Sequence, residues 1–176
     1  IIPSCDVGDR PSIATKYMLA VKRGFEILTG LRPDGTRRQC VVIAGNHDAP
    51  ASRKDDVWFE LLRDMPGMHV TTYGYDTVVF DPEEDLEVPP ELAGVVVHTL
   101  PHESLKELDF YDVKPVEGFT NILVTHGVAE GSKLYFRARG REYPVPHELM
   151  TAGWDYVALG HWHKQGPVQL NKGPED

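Results

Sequence analysis

The chain has 176 residues and a formal net charge of −9, with 41% apolar and 26% charged residues. This is the balance of one globular domain with a sizeable core. It excludes a helical membrane span, since no run of 18 apolar residues occurs, and it argues against non-specific nucleic-acid binding by the whole surface. Cys5 and Cys40 are the only cysteines and lack CxxC spacing, which argues against a thiolate metal site or a disulfide framework. With eight histidines beside them, they lean toward imidazole chemistry in a reducing, cytoplasmic setting. No secretory leader pattern opens the chain.

In chain order, IIPSCDVGDRPS is broken by Pro3, Gly8 and Pro11 and reads as loop. A helix is predicted from about Ser12 to Thr29. Ile13, Tyr17, Val21, Phe25 and Leu28 recur at helical spacing, and Gly30 ends it. CVVIA, residues 40–44, is a continuous apolar run of the kind found in strands covered on both faces. A second helix is predicted from Arg53 to Met65, with Val57, Trp58, Leu61 and Leu62 inward. HVTT and TVVF read as a pair of strands around Tyr73–Gly74–Tyr75, and the acidic DPEEDLEVPPE as a solvated loop. GVVVHTL (94–100) and NILVT (121–125) are further buried strands. A short helix near His147–Thr151 leads into YVAL (156–159), and QGPVQL reads as a last strand. One domain over residues 1–170, then a polar tail over 171–176, gives an α/β fold with helices covering the sheets.

Three apolar runs end in similar residues. CVVIA is followed by Gly45-Asn46-His47-Asp48, NILVT by His126-Gly127, and YVAL by Gly160-His161-Trp162-His163. Ligands of open α/β sheets sit beyond the carboxyl ends of the strands, so three strands can deliver imidazole to one edge. A glycine lies within two residues of a histidine each time, which lets backbone approach closely. Any one of these signals alone reads as a loop residue; the three together point to metal. Imidazole nitrogens and a carboxamide oxygen suit Mn²⁺, Fe²⁺ or Zn²⁺. On an extended segment His161 and His163 point the same way and can serve two neighbouring ions. Two cations ~3.5–4 Å apart clamp the oxygens of a phosphoryl displacement.

GNHD, THG (125–127) and GHWH (160–163), in that order, resemble the motifs of the calcineurin-like metallophosphoesterase superfamily. DVGDRPSIA, GNHDAP and DYVALGHWH are most similar to its DNA-repair exonuclease branch, the SbcD-type nuclease subunit. The resemblance spans roughly Asp6 to Pro167. It implies a four-layered sandwich of two mixed β-sheets flanked by helices. It implies two divalent ions, Mn²⁺ first and Fe²⁺ or Zn²⁺ after it. Asn46, His126 and His161 would hold one ion and His163 the other. His47 would protonate the leaving oxygen, with Asp48 orienting it. The implied activity is phosphodiester hydrolysis, as a nuclease on DNA ends, with an ATPase subunit of SbcC type as partner and a homodimer as a further arrangement.

Two features of that family are missing. No Asp-x-His occurs in the chain, and the Gly-Asp that supplies a bridging carboxylate has only Gly8-Asp9 as a counterpart. The expectation is a strand–helix–strand unit of about 30 residues ahead of Ile1, weak metal binding by the chain as it stands, and activity once it is extended upstream. GSKLYFRARGR (131–141) carries Lys133, Arg137, Arg139 and Arg141 without an acid. It reads either as a track for a phosphate backbone, with Tyr135 or Phe136 stacking on a base, or as a basic hairpin with its aromatics inward. Trp162 reads as a wall of the site, and His98 and His102 as loop residues flanking LPHES; His69 and His147 have no evident partners. Two alternatives to the nuclease stay open: a small-phosphoester or cyclic-nucleotide phosphodiesterase, and a metal-poor scaffold domain.

Overall fold

The computed structural model describes residues 1–3, 14–48, 58–132, 143–161 and 166. Helix α1 spans Thr15–Leu28. Strand β1 (Cys40–Ile43) follows, then a 3₁₀ helix at Trp58–Leu62, β2 (Met68–Thr71) and β3 (Asp76–Val79). After a 3₁₀ turn at Pro90–Leu92 come β4 (Val95–Leu100), a kinked 3₁₀ segment at His102–Phe110 and β5 (Thr120–His126). Short strands β6 (Val128–Ala129) and β7 (Pro144–Val145) precede α2 (His147–Met150) and β8 (Tyr156–Gly160). The fold is mixed α/β. Among the described residues no helix is long and apolar enough to cross a membrane.

The sheet topology places the strand ends. One sheet runs β3-β4-β5-β8, with β3 antiparallel to β4 and the other three strands parallel. In register, Leu100 of β4 pairs with Thr125 of β5, Thr125 with Leu159 of β8, and His126 with Gly160. Three parallel strands therefore finish side by side. Strand β1 pairs in parallel with β2 in a second sheet. Its alternating side chains serve two cores. Cys40, Val42 and Ala44 pack with Phe25, Trp58, Leu62 and Val70. Val41 and Ile43 pack with Phe80, Val97, Val124 and Ala158 of the larger sheet. This is why CVVI reads as one apolar run. The opposite face of the larger sheet gives Leu100 and Leu123, covered by Leu105, Val145 and Leu149.

Several sequence expectations need correction. Tyr17 (57% exposed) and Leu28 lie outside the buried stripe of α1, which consists of Met18, Val21 and Phe25. Only one narrow face of this helix meets a partner, and a one-residue offset turns a side chain by about 100°. Between Trp58 and Leu62 the expected second helix is 3₁₀, and Leu61 points outward at 67% exposure. Pro66 disfavours helical backbone at Met65, and the segment closes with Met65 N–H on the Leu62 carbonyl at 3.1 Å. HVTT and TVVF do form strands, but they do not pair with each other, since β2 joins β1 and β3 joins β4. The intervening turn carries the chain from one sheet to the other, where Thr71 and Thr99 hydroxyls join at 2.9 Å. The acidic loop is anchored rather than free, with Arg37 on Glu87 at 2.6 Å and Val88 buried. The expected strand QGPVQL apart from Gly166, the helix portions at 12–13 and 53–57, and the tail 171–176 lie outside the described residues.

Candidate metal centre

Beyond β1 the chain turns at once. Gly45 is buried, and its N–H reaches the carboxylate of wholly buried Asp48 at 3.4 Å. That closure leaves Asn46 half-buried and His47 exposed. Asp48 thus shapes the turn that presents both neighbours. His126 ends β5 with 0% exposure. It can sit so deep because Gly127 follows it: a Cβ there would lie 2.9 Å from the Tyr143 carbonyl and 2.8 Å from Leu105 Cδ1. His161 follows β8 with φ of 111°, a backbone state that L-residues rarely adopt. Strain of this kind costs on the order of 1–3 kcal/mol and collects at functional sites.

The three side chains meet at one atom. Asn46 Oδ1 lies 2.9 Å from His126 Nε2 and 3.2 Å from His161 Nδ1. The two imidazole rings stand nearly perpendicular with centroids 5.3 Å apart. An amide oxygen only accepts, so each facing ring nitrogen donates a proton to it. With those protons moved to the far ring nitrogens or lost, three lone pairs converge instead. The spacing suits such a set. Donors at adjacent corners of an octahedron with ~2.1 Å metal–ligand bonds are about 3.0 Å apart, and a tetrahedron with ~2.05 Å bonds spaces them about 3.3 Å apart. Asn46, His126 and His161 could therefore hold one face of a divalent ion's shell. Among the described residues no trio of His, Cys, Asp or Glu gathers to hold a metal; the third donor here is a neutral carboxamide.

His102 is the residue that sequence reasoning misplaced. It is 3% exposed, not a loop histidine, and its ring lies 5.8 Å from that of His126 and 6.2 Å from that of His161. A signal was available, since His102 follows the end of β4 as His126 ends β5 and His161 follows β8. His98 needs the same correction. It lies inside β4, fully buried, with Tyr75 Oη at 2.7 Å from Nδ1 and Asn121 Oδ1 at 2.9 Å from Nε2. Burial holds its pKa below the ordinary histidine value, against the opposing effect of the hydrogen bond that it donates to Asn121. His69 has a partner after all, Gln39 Oε1 at 2.9 Å, and burial lowers its pKa too. His147 opens α2 with its N–H on Glu130 at 3.1 Å. Cys40 is no ligand candidate: burial raises its thiol to about 11. His163, Trp162, Asp9, Lys133, Tyr135, Phe136, Arg137, Arg139 and Arg141 lie outside the described residues.

No protein-family model matches the chain, and no curated protein matches it significantly.

Proposed function

We propose that this protein is a metal-dependent phosphodiester hydrolase, and within that class a nuclease of the DNA-repair type that its motifs resemble. The observation that carries the reading is the shared contact of His126 and His161 with Asn46 Oδ1 at 2.9 and 3.2 Å, made by segments 80 and 115 residues from Asn46. Chance loop histidines have no reason to converge from different strands. The stacking of α1, the β1-β2 sheet, the larger sheet and the two short helical segments that carry Leu105 and Leu149 is compatible with the four-layered sandwich of that superfamily. A bound divalent ion such as Mn²⁺ supplies Lewis acidity and hydroxide near neutral pH. Asn46, His126 and His161 would hold it, and in this reading His163 would serve a second ion. His47, exposed beside Asn46, would give a proton to the leaving oxygen in this reading, a role worth ~10²–10⁴ in rate. The basic segment with Lys133, Arg137 and Arg139 is the proposed contact to the DNA backbone.

The net charge of −9 favours a second reading, the same chemistry on a small phosphoester. One experiment separates the two: Mn²⁺-dependent turnover of a DNA duplex against that of a nitrophenyl phosphodiester. The first reading expects the duplex to be preferred and chelation to abolish cleavage. Preference for the small ester supports the second. A protein that shows no Mn²⁺ binding by calorimetry, not even weak binding, is a scaffold, and both readings fall.

A further inference from the structure

We infer that His102 is a positioning residue that holds all three donor-bearing segments in register, an inference that rests on the metal reading above. Its backbone N–H donates to the Ala44 carbonyl at 3.1 Å, two residues before Asn46. Its ring Nδ1 lies 3.0 Å from the His126 backbone oxygen. A carbonyl only accepts, so Nδ1 carries the proton. Its ring also lies nearly parallel to that of His161, at 15° with centroids 6.2 Å apart, and packs beside Tyr143 at 5.2 Å. One residue thus bonds to the exits of β1 and β5, through its main chain and its ring, and lies beside the residue that follows β8.

The position has a topological reason. β1 belongs to a different sheet from β5 and β8, so among the described residues no strand pairing fixes Asn46 relative to the two imidazoles. β5 and β8 are held by their own ladder up to His126 and Gly160. Beside the Thr71–Thr99 hydroxyl bond, a second link between the sheets at this edge runs through His102: its main chain ties the end of β1, and its side chain ties the end of β5. Pro101, extended at φ −60° and ψ 160°, sets His102 at the start of the 3₁₀ segment that crosses this edge. Three neutral donors bind a divalent ion only when held at the right separation, and outer partners of metal ligands typically change affinity 10–100-fold.

The test uses an isosteric pair. Asn keeps an N–H donor near the Nδ1 position, whereas Leu has the same shape and no donor. Mn²⁺ affinity of the whole chain is measured by calorimetry at a temperature where circular dichroism reports each variant folded. H102L is expected to bind Mn²⁺ 10–100-fold more weakly than the unaltered chain, and H102N within about threefold of it. H102F, which keeps a ring but no donor, replaces H102L should the latter not fold. A donor-less variant with unaltered affinity, or H102N as weak as H102L, overturns the inference and leaves the metal reading standing. No Mn²⁺ binding by the unaltered chain overturns the metal reading, and this inference with it. A purely structural role lowers the melting temperature of both donor-less variants without moving affinity below it.

Discussion

Two histidine–asparagine pairs in this protein have the same hydrogen-bond length and different surroundings. His98 Nε2 meets Asn121 Oδ1 at 2.9 Å, and His126 Nε2 meets Asn46 Oδ1 at 2.9 Å. The first pair is locked. Asn121 Nδ2 donates to the Val116 and Phe119 carbonyls, and its Oδ1 also accepts the Val116 N–H. These bonds fix the amide orientation, so His98 donates from Nε2 and accepts the Tyr75 hydroxyl at Nδ1. Both residues are buried, and Trp154 packs edge-on against His98 at 4.8 Å. The second pair draws a further imidazole onto the same oxygen, lies at a strand edge, and includes a half-exposed Asn46 beside a strained His161. Pair identity therefore says little. Saturation makes the first a structural clasp, and convergence of donors makes the second a candidate ligand set.

The comparison breaks most sharply under parallel truncation. N46A is expected to lose more than ~100-fold in Mn²⁺ affinity with little change in urea stability. N121A is expected to do the reverse, costing about 3 kcal/mol or more because it strands several buried polar partners at once. Calorimetry and urea unfolding of the two variants check this, and equal effects on affinity would end the distinction.

A smaller effect comes from pH. His98 and His69 are both held neutral by burial, with folded pKa values below the ordinary one. The unfolded chain takes up these protons near pH 6.5 while the folded chain resists. Stability is thus fully present above that pH and declines as pH falls through it. Each histidine contributes a slope of up to about 1.4 kcal/mol per pH unit. Denaturant midpoints between pH 5 and 8 should show the decline, and H98F should reduce its slope.

The smallest effect concerns His161. Both H161G and H161A remove the imidazole, but only glycine accepts a φ of 111° without strain. H161G is expected to be more stable than H161A by about 1 kcal/mol, with neither binding Mn²⁺ as the unaltered chain does. Thermal melts in the absence of metal check the first half. An H161A variant at least as stable as H161G would show that the backbone carries no strain there.

Much of this was legible in the linear chain. Uninterrupted apolar runs at CVVI, GVVVHTL, NILVT and YVAL announced strands, because a strand covered on both faces has no polar side to show. The recurrence of Asn or His just after three of those runs announced the site. What spacing alone misjudged were the narrower choices. The helical period around Tyr17 and Leu61 was right in kind, but which face is buried depends on the neighbour. His98 and His102 look like loop residues because they flank LPHES, and a single sequence does not say which side chains face inward.

Amino-acid order alone determined where the longer strands run and which donor types stand at their ends, but not the two-residue strands β6 and β7, since periodicity and chain connectivity are local properties and two residues carry no period. Only the tertiary structure decided that β1 would sit in a separate sheet from β5 and β8 and that His102 would tie it to β5. Those outcomes depend on contacts between residues far apart in the chain, where packing and hydrogen-bond saturation, not spacing, determine which groups meet.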